Sequence, residues 1–151
     1  MGTIHVAAER DVAAAAEVVY GYIADNREHH QHFLPDAFSN FQVEAGGVGA
    51  GTITRFRITA GGRSREYRMA VAEPEPGRVL TESDTGSSLV TTFTVTPQGG
   101  ASRVRIGTSW EGAGGVGGFF ERLFAPKALQ RLYRDELTRL EQYAKQQAAQ
   151  A

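Results

Sequence analysis

The chain contains no cysteine, so neither a disulfide nor a thiolate-held metal can take part in its fold or its chemistry. It also lacks any run of ~18 apolar residues and opens on no apolar leader-like segment. Secretion and membrane spanning therefore find no support, and the cytoplasm is the expected compartment. An excess of charge of one sign is missing too. Sixteen Lys and Arg are interspersed with 17 Asp and Glu, for a net charge of −1. A duplex-binding domain usually carries a basic stripe, and without one nucleic acid is not an expected partner. Tryptophan occurs once and proline five times, whereas glycine occurs 18 times, the composition of a chain with many turns.

At 151 residues the sequence suits one domain, spanning 1–151, which buries roughly 68–70% of its unfolded surface. Ile4, Val6, Ala8 and Val12 alternate with polar residues at the period of a half-buried strand. Val18, Val19, Tyr22 and Ile23 then mark one face of a helix. Asp25, three residues before Glu28, has the spacing of a capping box for a second short helix through His29–Phe33, closed by Pro35. Six strands are read next, at 41–44, 52–59, 65–72, 79–83, 89–96 and 103–110. Short Gly- or Pro-containing connections separate them, the pattern of an antiparallel meander. The glycine run 46–51 is read as a hairpin turn.

From Pro126 the period changes. Leu129, Leu132, Tyr133, Leu137, Leu140 and Tyr143 form the apolar stripe of a long helix over 126–145. Arg131, Arg134, Asp135, Arg139, Glu141 and Lys145 lie opposite, and Glu141 and Lys145 are spaced as an i, i+4 pair. The Gln/Ala tail at 146–151 is expected to fray. Strand, two short helices, six strands and one long helix make an α+β, helix-grip arrangement. In it a curved seven-stranded antiparallel sheet closes on the C-terminal helix, its only sufficiently long cover. Space left between them would be concave and mainly apolar, as small-molecule sites usually are.

This order, with VVYGYIAD at 18–25, GGVGAGT at 46–52, EPEPGRVLTE at 73–82 and TTFTVTP at 91–97, resembles the superfamily of START lipid-binding domains, the major birch pollen allergen and bacterial polyketide cyclases/dehydrases. The resemblance runs from Ile4 to about Ala144. It implies an internal cavity for a small hydrophobic molecule and leaves two function classes open. One is binding or transport of a lipid-like or polycyclic ligand. The other is a cyclase or dehydrase acting on a polyketide-like chain, since folds of this kind host carriers and enzymes alike.

Strand parity assigns Phe56, Ile58, Tyr67, Met69, Leu89, Thr91, Phe93, Val104, Ile106, Thr108 and Trp110 to the face toward the helix. The candidate pocket lining is Phe33, Phe56, Tyr67, Met69, Leu89, Thr91, Phe93, Thr108, Trp110, Phe120, Tyr133 and Glu136. Trp110 is placed near the mouth, and the loops at 60–62, 84–87 and 112–118 are read as a gate. A hydroxyl on an apolar face costs roughly 1–3 kcal/mol if unpaired, so Thr91, Thr108 and Tyr67 each need a partner. Glu136 sits at the margin of the helix stripe and is read as solvated there. If it is buried, Arg55, Arg57 or Arg68 would be its counter-charge and it would become a general acid/base candidate. His29 and His32 share a helical face, but no carboxylate stands at a spacing that completes a zinc set. The glycine run lacks the Lys-Ser/Thr ending of a phosphate loop, and no serine occupies a G-x-S-x-G turn. Neither metal nor cofactor is expected. The oligomeric state is not legible.

Overall fold

The computed structural model describes residues 3–60, 62–111 and 126–150. Its elements are β1 (Thr3–Val12), α1 (Ala16–Ala24), a single 3-10 turn (His30–Phe33), β2 (Phe38–Ala45), β3 (Ile53–Ala60), β4 (Arg63–Glu75), β5 (Val79–Asp84), β6 (Val90–Gln98), β7 (Ala101–Glu111) and a C-terminal helix, α2 (Pro126–Gln150). The strands form one antiparallel sheet in the order β1-β7-β6-β5-β4-β3-β2. From β2 to β7 each strand pairs with its successor. The circuit is finished by β1, which returns to the far side of β7, with Thr3 opposite Glu111 and Val12 opposite Ser102. Among the described residues no helix is long and apolar enough to cross a membrane.

Alternation explains which face is covered. On β5, β6 and β7 every second residue is buried, and on β7 the inward series is Ser102, Val104, Ile106, Thr108 and Trp110. Val104, Ile106 and Trp110 share one buried core with Leu129, Tyr133, Leu137 and Leu140 on α2, the periodic apolar stripe read from the sequence. Gln130 donates from Nε2 to the carbonyl of Ala7 (2.9 Å), and Arg10 pairs with Glu141 (2.8 Å), so α2 is tied along β1. The Glu141–Lys145 pair suggested by spacing gives way to this longer-range one. Helix continues through Gln150, five residues past the end read from the sequence. Ala and Gln are good helix formers, and no Gly or Pro interrupts them.

The GGVGAG segment does more than turn a hairpin. It folds back on the end of α1: Asn26 N donates to Gly47 O (2.8 Å), Gly49 N to Ala24 O (3.0 Å), and Asp25 bridges Val48. Asp25 also caps the next turn, accepting from the amides of Arg27 and Glu28 at 3.0 Å each. Gly49 has φ +69°, and a Cβ there would lie 2.3 Å from Oε1 of Glu73. That carboxylate accepts from the Ala50 amide (2.8 Å) and from the Tyr20 hydroxyl (2.7 Å). Gly49→Ala should therefore cost about 1–3 kcal/mol through backbone strain and a displaced Glu73. Urea denaturation followed by circular dichroism measures this, and an unchanged midpoint would contradict it.

Candidate functional site

The sheet curves away from α2 over β2–β6 and leaves a cavity between them. It holds about 540 Å³ of atom-free space, counting its opening to solvent, of which the centres of water molecules reach about 40 Å³. The site is thus a narrow slot. Met69, Leu129 and Leu132 are among the side chains that line it.

One wall is aromatic. Phe41 lies nearly parallel to Phe56 (6.3 Å between centroids, 12°), Phe56 to Tyr67 (5.6 Å, 23°), and Phe38 leans on Phe56 (5.3 Å, 43°). Phe38 and Phe41 are three residues apart on β2 and would point to opposite faces of a regular strand. Both line the cavity because a bulge intervenes. Ser39 pairs with Arg57 and Gln42 with Arg55, so two residues of β2 oppose one of β3, and Asn40 takes up the kink at φ 54°.

The lining also carries ionisable groups. Glu136 on α2 is 3% exposed and Glu82 on β5 is 9% exposed, and both line the cavity. Burial holds both carboxyls above the usual carboxylate range. The charge of Glu82 and then that of Asp135 push Glu136 further up, while His30 pulls Glu82 down. The imidazole of His30 is buried on the 3-10 turn, with Nδ1 2.6 Å from the Ile23 carbonyl. A carbonyl only accepts, so Nδ1 carries the hydrogen and Nε2 is the atom that faces Glu136, 4.0 Å from its Oε2. That oxygen has no hydrogen-bond partner among the described residues.

Hydroxyl groups complete the lining. Thr91 and Thr108 are joined at 2.7 Å, and Thr108 is hydrogen-bonded to the Tyr133 hydroxyl. Burial lifts the Tyr133 phenol well above its ordinary value. Burial likewise pushes Tyr67 up to about 12, against the opposing pull of Arg65. The Arg65 guanidinium stands 4.4 Å over the Tyr67 ring and bonds Asp84 (2.7 Å), which in turn accepts from Ser87 (2.7 Å).

Eight of the sequence-derived candidates meet at this cavity: Phe56, Tyr67, Met69, Leu89, Thr91, Phe93, Tyr133 and Glu136. Thr108 stands one layer behind, within the hydroxyl chain. Phe33 is buried beneath His30, stacked on it at 4.8 Å. Trp110 is buried in the core opposite Ile4 and is not among the described residues that line the cavity. Strand parity gave its face but not its height along the groove. Phe120 and the 112–118 part of the gate lie outside the described residues, as does Gly61. Glu136 is not solvated, and none of the three arginines serves it. Arg55, Arg57 and Arg68 instead reach Glu44 and Glu66 on the exposed face.

Sequence reasoning passed over His30, Glu82, Phe38 and Phe41. For Glu82 a signal existed: it shares parity with the buried Leu80. On the outside of the 3-10 turn the structure also brings Asp25, Glu28 and His29 together, with ligand atoms within 4.8 Å of one another, a grouping that spacing did not suggest. Asp25 there serves as a backbone cap, and His29 Nδ1 is hydrogen-bonded to the Tyr143 hydroxyl (2.6 Å).

A curved antiparallel sheet gripping one long helix over an apolar slot defines the helix-grip class of ligand-binding folds. The sequence matches the polyketide cyclase / dehydrase and lipid transport family over residues 3–145, and the chain belongs to that family. It is similar to the KanY protein, whose NMR solution structure superposes with a TM-score of 0.84 at 34% identity, covering 96% of this chain and 99% of that one. Two more distant structures share the fold. The Zhui aromatase/cyclase from Streptomyces sp. R1128 has a TM-score of 0.72 at 16% identity, covering 97% and 96% of the two chains. Norcoclaurine synthase from Thalictrum flavum, in complex with dopamine and hydroxybenzaldehyde, has a TM-score of 0.69 at 16% identity, covering 96% and 88%. No curated protein sequence matches the chain.

Proposed function

We propose that the protein binds a small, flat hydrophobic molecule, aromatic or polycyclic, in the slot between the sheet and α2. The observation that carries this reading is the stacked wall of Phe41, Phe56 and Tyr67. Nearly parallel rings present a flat face that suits another ring system better than a kinked acyl chain, because offset stacking needs extended planar contact. The small aromatic molecules held by norcoclaurine synthase in the same fold are in keeping with this choice.

Displacement of a bound apolar fluorophore tests it. Polycyclic aromatic competitors should displace the probe saturably and with one-to-one stoichiometry, and long-chain fatty acids should compete less well. Phe56→Ala should weaken aromatic binding by roughly tenfold, the loss of about 1.4 kcal/mol of stacking and burial. Absence of saturable binding for every probe class would end the proposal.

A second reading, catalysis of the cyclase/dehydrase kind, is favoured by one observation: Glu82, Glu136 and His30 converge on the slot. A carboxylic acid that keeps its proton can donate to a ligand carbonyl while a neighbouring base removes a proton from the adjacent carbon, giving the enol. Such exchange would appear as deuterium uptake into a bound ketone, lost in Glu136→Gln.

A further inference from the structure

The slot is chemically lopsided. Its lining holds two buried carboxyls, and among the described residues no Lys or Arg lines it. Arg65, the nearest guanidinium to the aromatic wall, is already committed to Asp84. Oε2 of Glu136 is buried, has no hydrogen-bond partner among the described residues, and belongs to a side chain on the cavity wall. A buried polar atom left unsatisfied in this way needs an explanation, and a ligand group is the simplest one. Phe56 and Tyr67 line the same slot, and aromatic rings attract cations. Buried carboxyls and aromatic rings in one lining suit the same kind of group.

We infer that the bound molecule carries a basic nitrogen, and that its ammonium group sits between Glu136 and Glu82 with the aromatic body against the ring wall. This rests on the ligand-binding reading above and narrows it to a class, hydrophobic arylalkylamines. The proton balance is simple. The amine enters as its ammonium form, one carboxyl releases its proton to solvent, and the resulting carboxylate pairs with the ammonium. The second carboxyl keeps its proton. The titratable groups facing Glu136 are Glu82 from β5, His30 from the 3-10 turn, Tyr67 from β4 and Tyr133 from α2. The elements β2, β3 and β6 present only apolar or hydroxyl side chains to the slot. Burial holds both carboxyls protonated above the usual range while the slot is empty, so a raised pH should strengthen amine uptake until the amine itself loses its proton.

The test is isothermal titration with three matched probes: naphthylethylamine, the neutral naphthylethanol, and naphthylacetate. At neutral pH the amine should bind at least roughly tenfold more tightly than the alcohol, and the carboxylate should bind worst. Titrations in two buffers of different ionisation enthalpy should show proton release on amine binding and none on alcohol binding. In the Glu82→Gln/Glu136→Gln double variant, checked for folding by circular dichroism, the amine should bind no more tightly than the alcohol. An alcohol that binds as well as the amine, or an amine preference that survives the double substitution, overturns the inference and leaves the aromatic-ligand reading standing. Failure of all three probes to bind overturns both.

Discussion

Replacing Trp110 with alanine is expected to lower the stability of the protein by about 3–5 kcal/mol. At roughly 2–4 °C per kcal/mol for a chain of this size, that is a drop in Tm of roughly 6–20 °C. The indole is 1% exposed and belongs to the largest fully buried side chains. It ends the inward series on β7, directly across from Ile4 of β1, where the first and last strands of the sequence meet. Removing it opens a void where the first strand is anchored. Because Trp110 does not line the slot, the folded variant should bind aromatic probes within about twofold of the parent. Wild-type emission should be blue-shifted and should become water-like on unfolding. Denaturation followed by circular dichroism gives the energy, and a loss under about 1 kcal/mol would show that the ring is not buried as described.

The second large effect concerns pH. Glu82 and Glu136 keep their protons in the fold above the ordinary carboxyl value of 4.5, chiefly because burial penalises the charged form. In the unfolded chain both titrate normally. The fold therefore binds more protons than the unfolded state once pH exceeds the ordinary value. Stability must fall as pH rises, by up to about 1.4 kcal/mol per pH unit for each group, until the folded values are passed. Full stability belongs to the acid side of that window and the loss to the alkaline side. Glu82→Gln/Glu136→Gln should flatten this limb and melt higher than the parent at neutral and alkaline pH, since an amide has the carboxyl's shape and no charge to bury. Glu44 works with the opposite sign, because Arg68 and Arg55 hold its carboxyl below the usual range. It is exposed, however, and its contribution is small. A double variant less stable than the parent at every pH would mean that the two acids are paired in a way the structure does not show.

Most of the fold can be read in the sequence because its signals are periodic. Alternation in 103–110 and the i, i+3, i+4 stripe from Leu129 to Tyr143 each name a face without outside help. The faces of β3, β4, β6 and β7 follow from that alternation and agree with the burial found. What escapes is whatever departs from a period. The bulge at Asn40 puts Phe38 and Phe41 on one side of a strand that should separate them, and no local rule requires a bulge there. His30 lies on a single 3-10 turn too short to have a period. Glu136 shows a different limit. Its position on the helix leaves both margin and interior open, and the choice was made by residues more than 50 positions away, Glu82 and the curvature of the strand that carries it. An acid on the inner face of a sheet looks like an error of patterning until the space it faces is known.

The pairing of β1 with β7 also determines how the chain must come together in time. Thr3 waits for Glu111 and Val12 for Ser102, whereas every other pair of neighbouring strands is consecutive along the chain. The meander from β2 to β7 can assemble by successive hairpins, each closing a short loop. The first strand can close only across some ninety residues or more, and the entropy of that closure opposes it before its contacts form. Docking of β1 is therefore placed late in folding, and during synthesis it has no partner until β7 has been made.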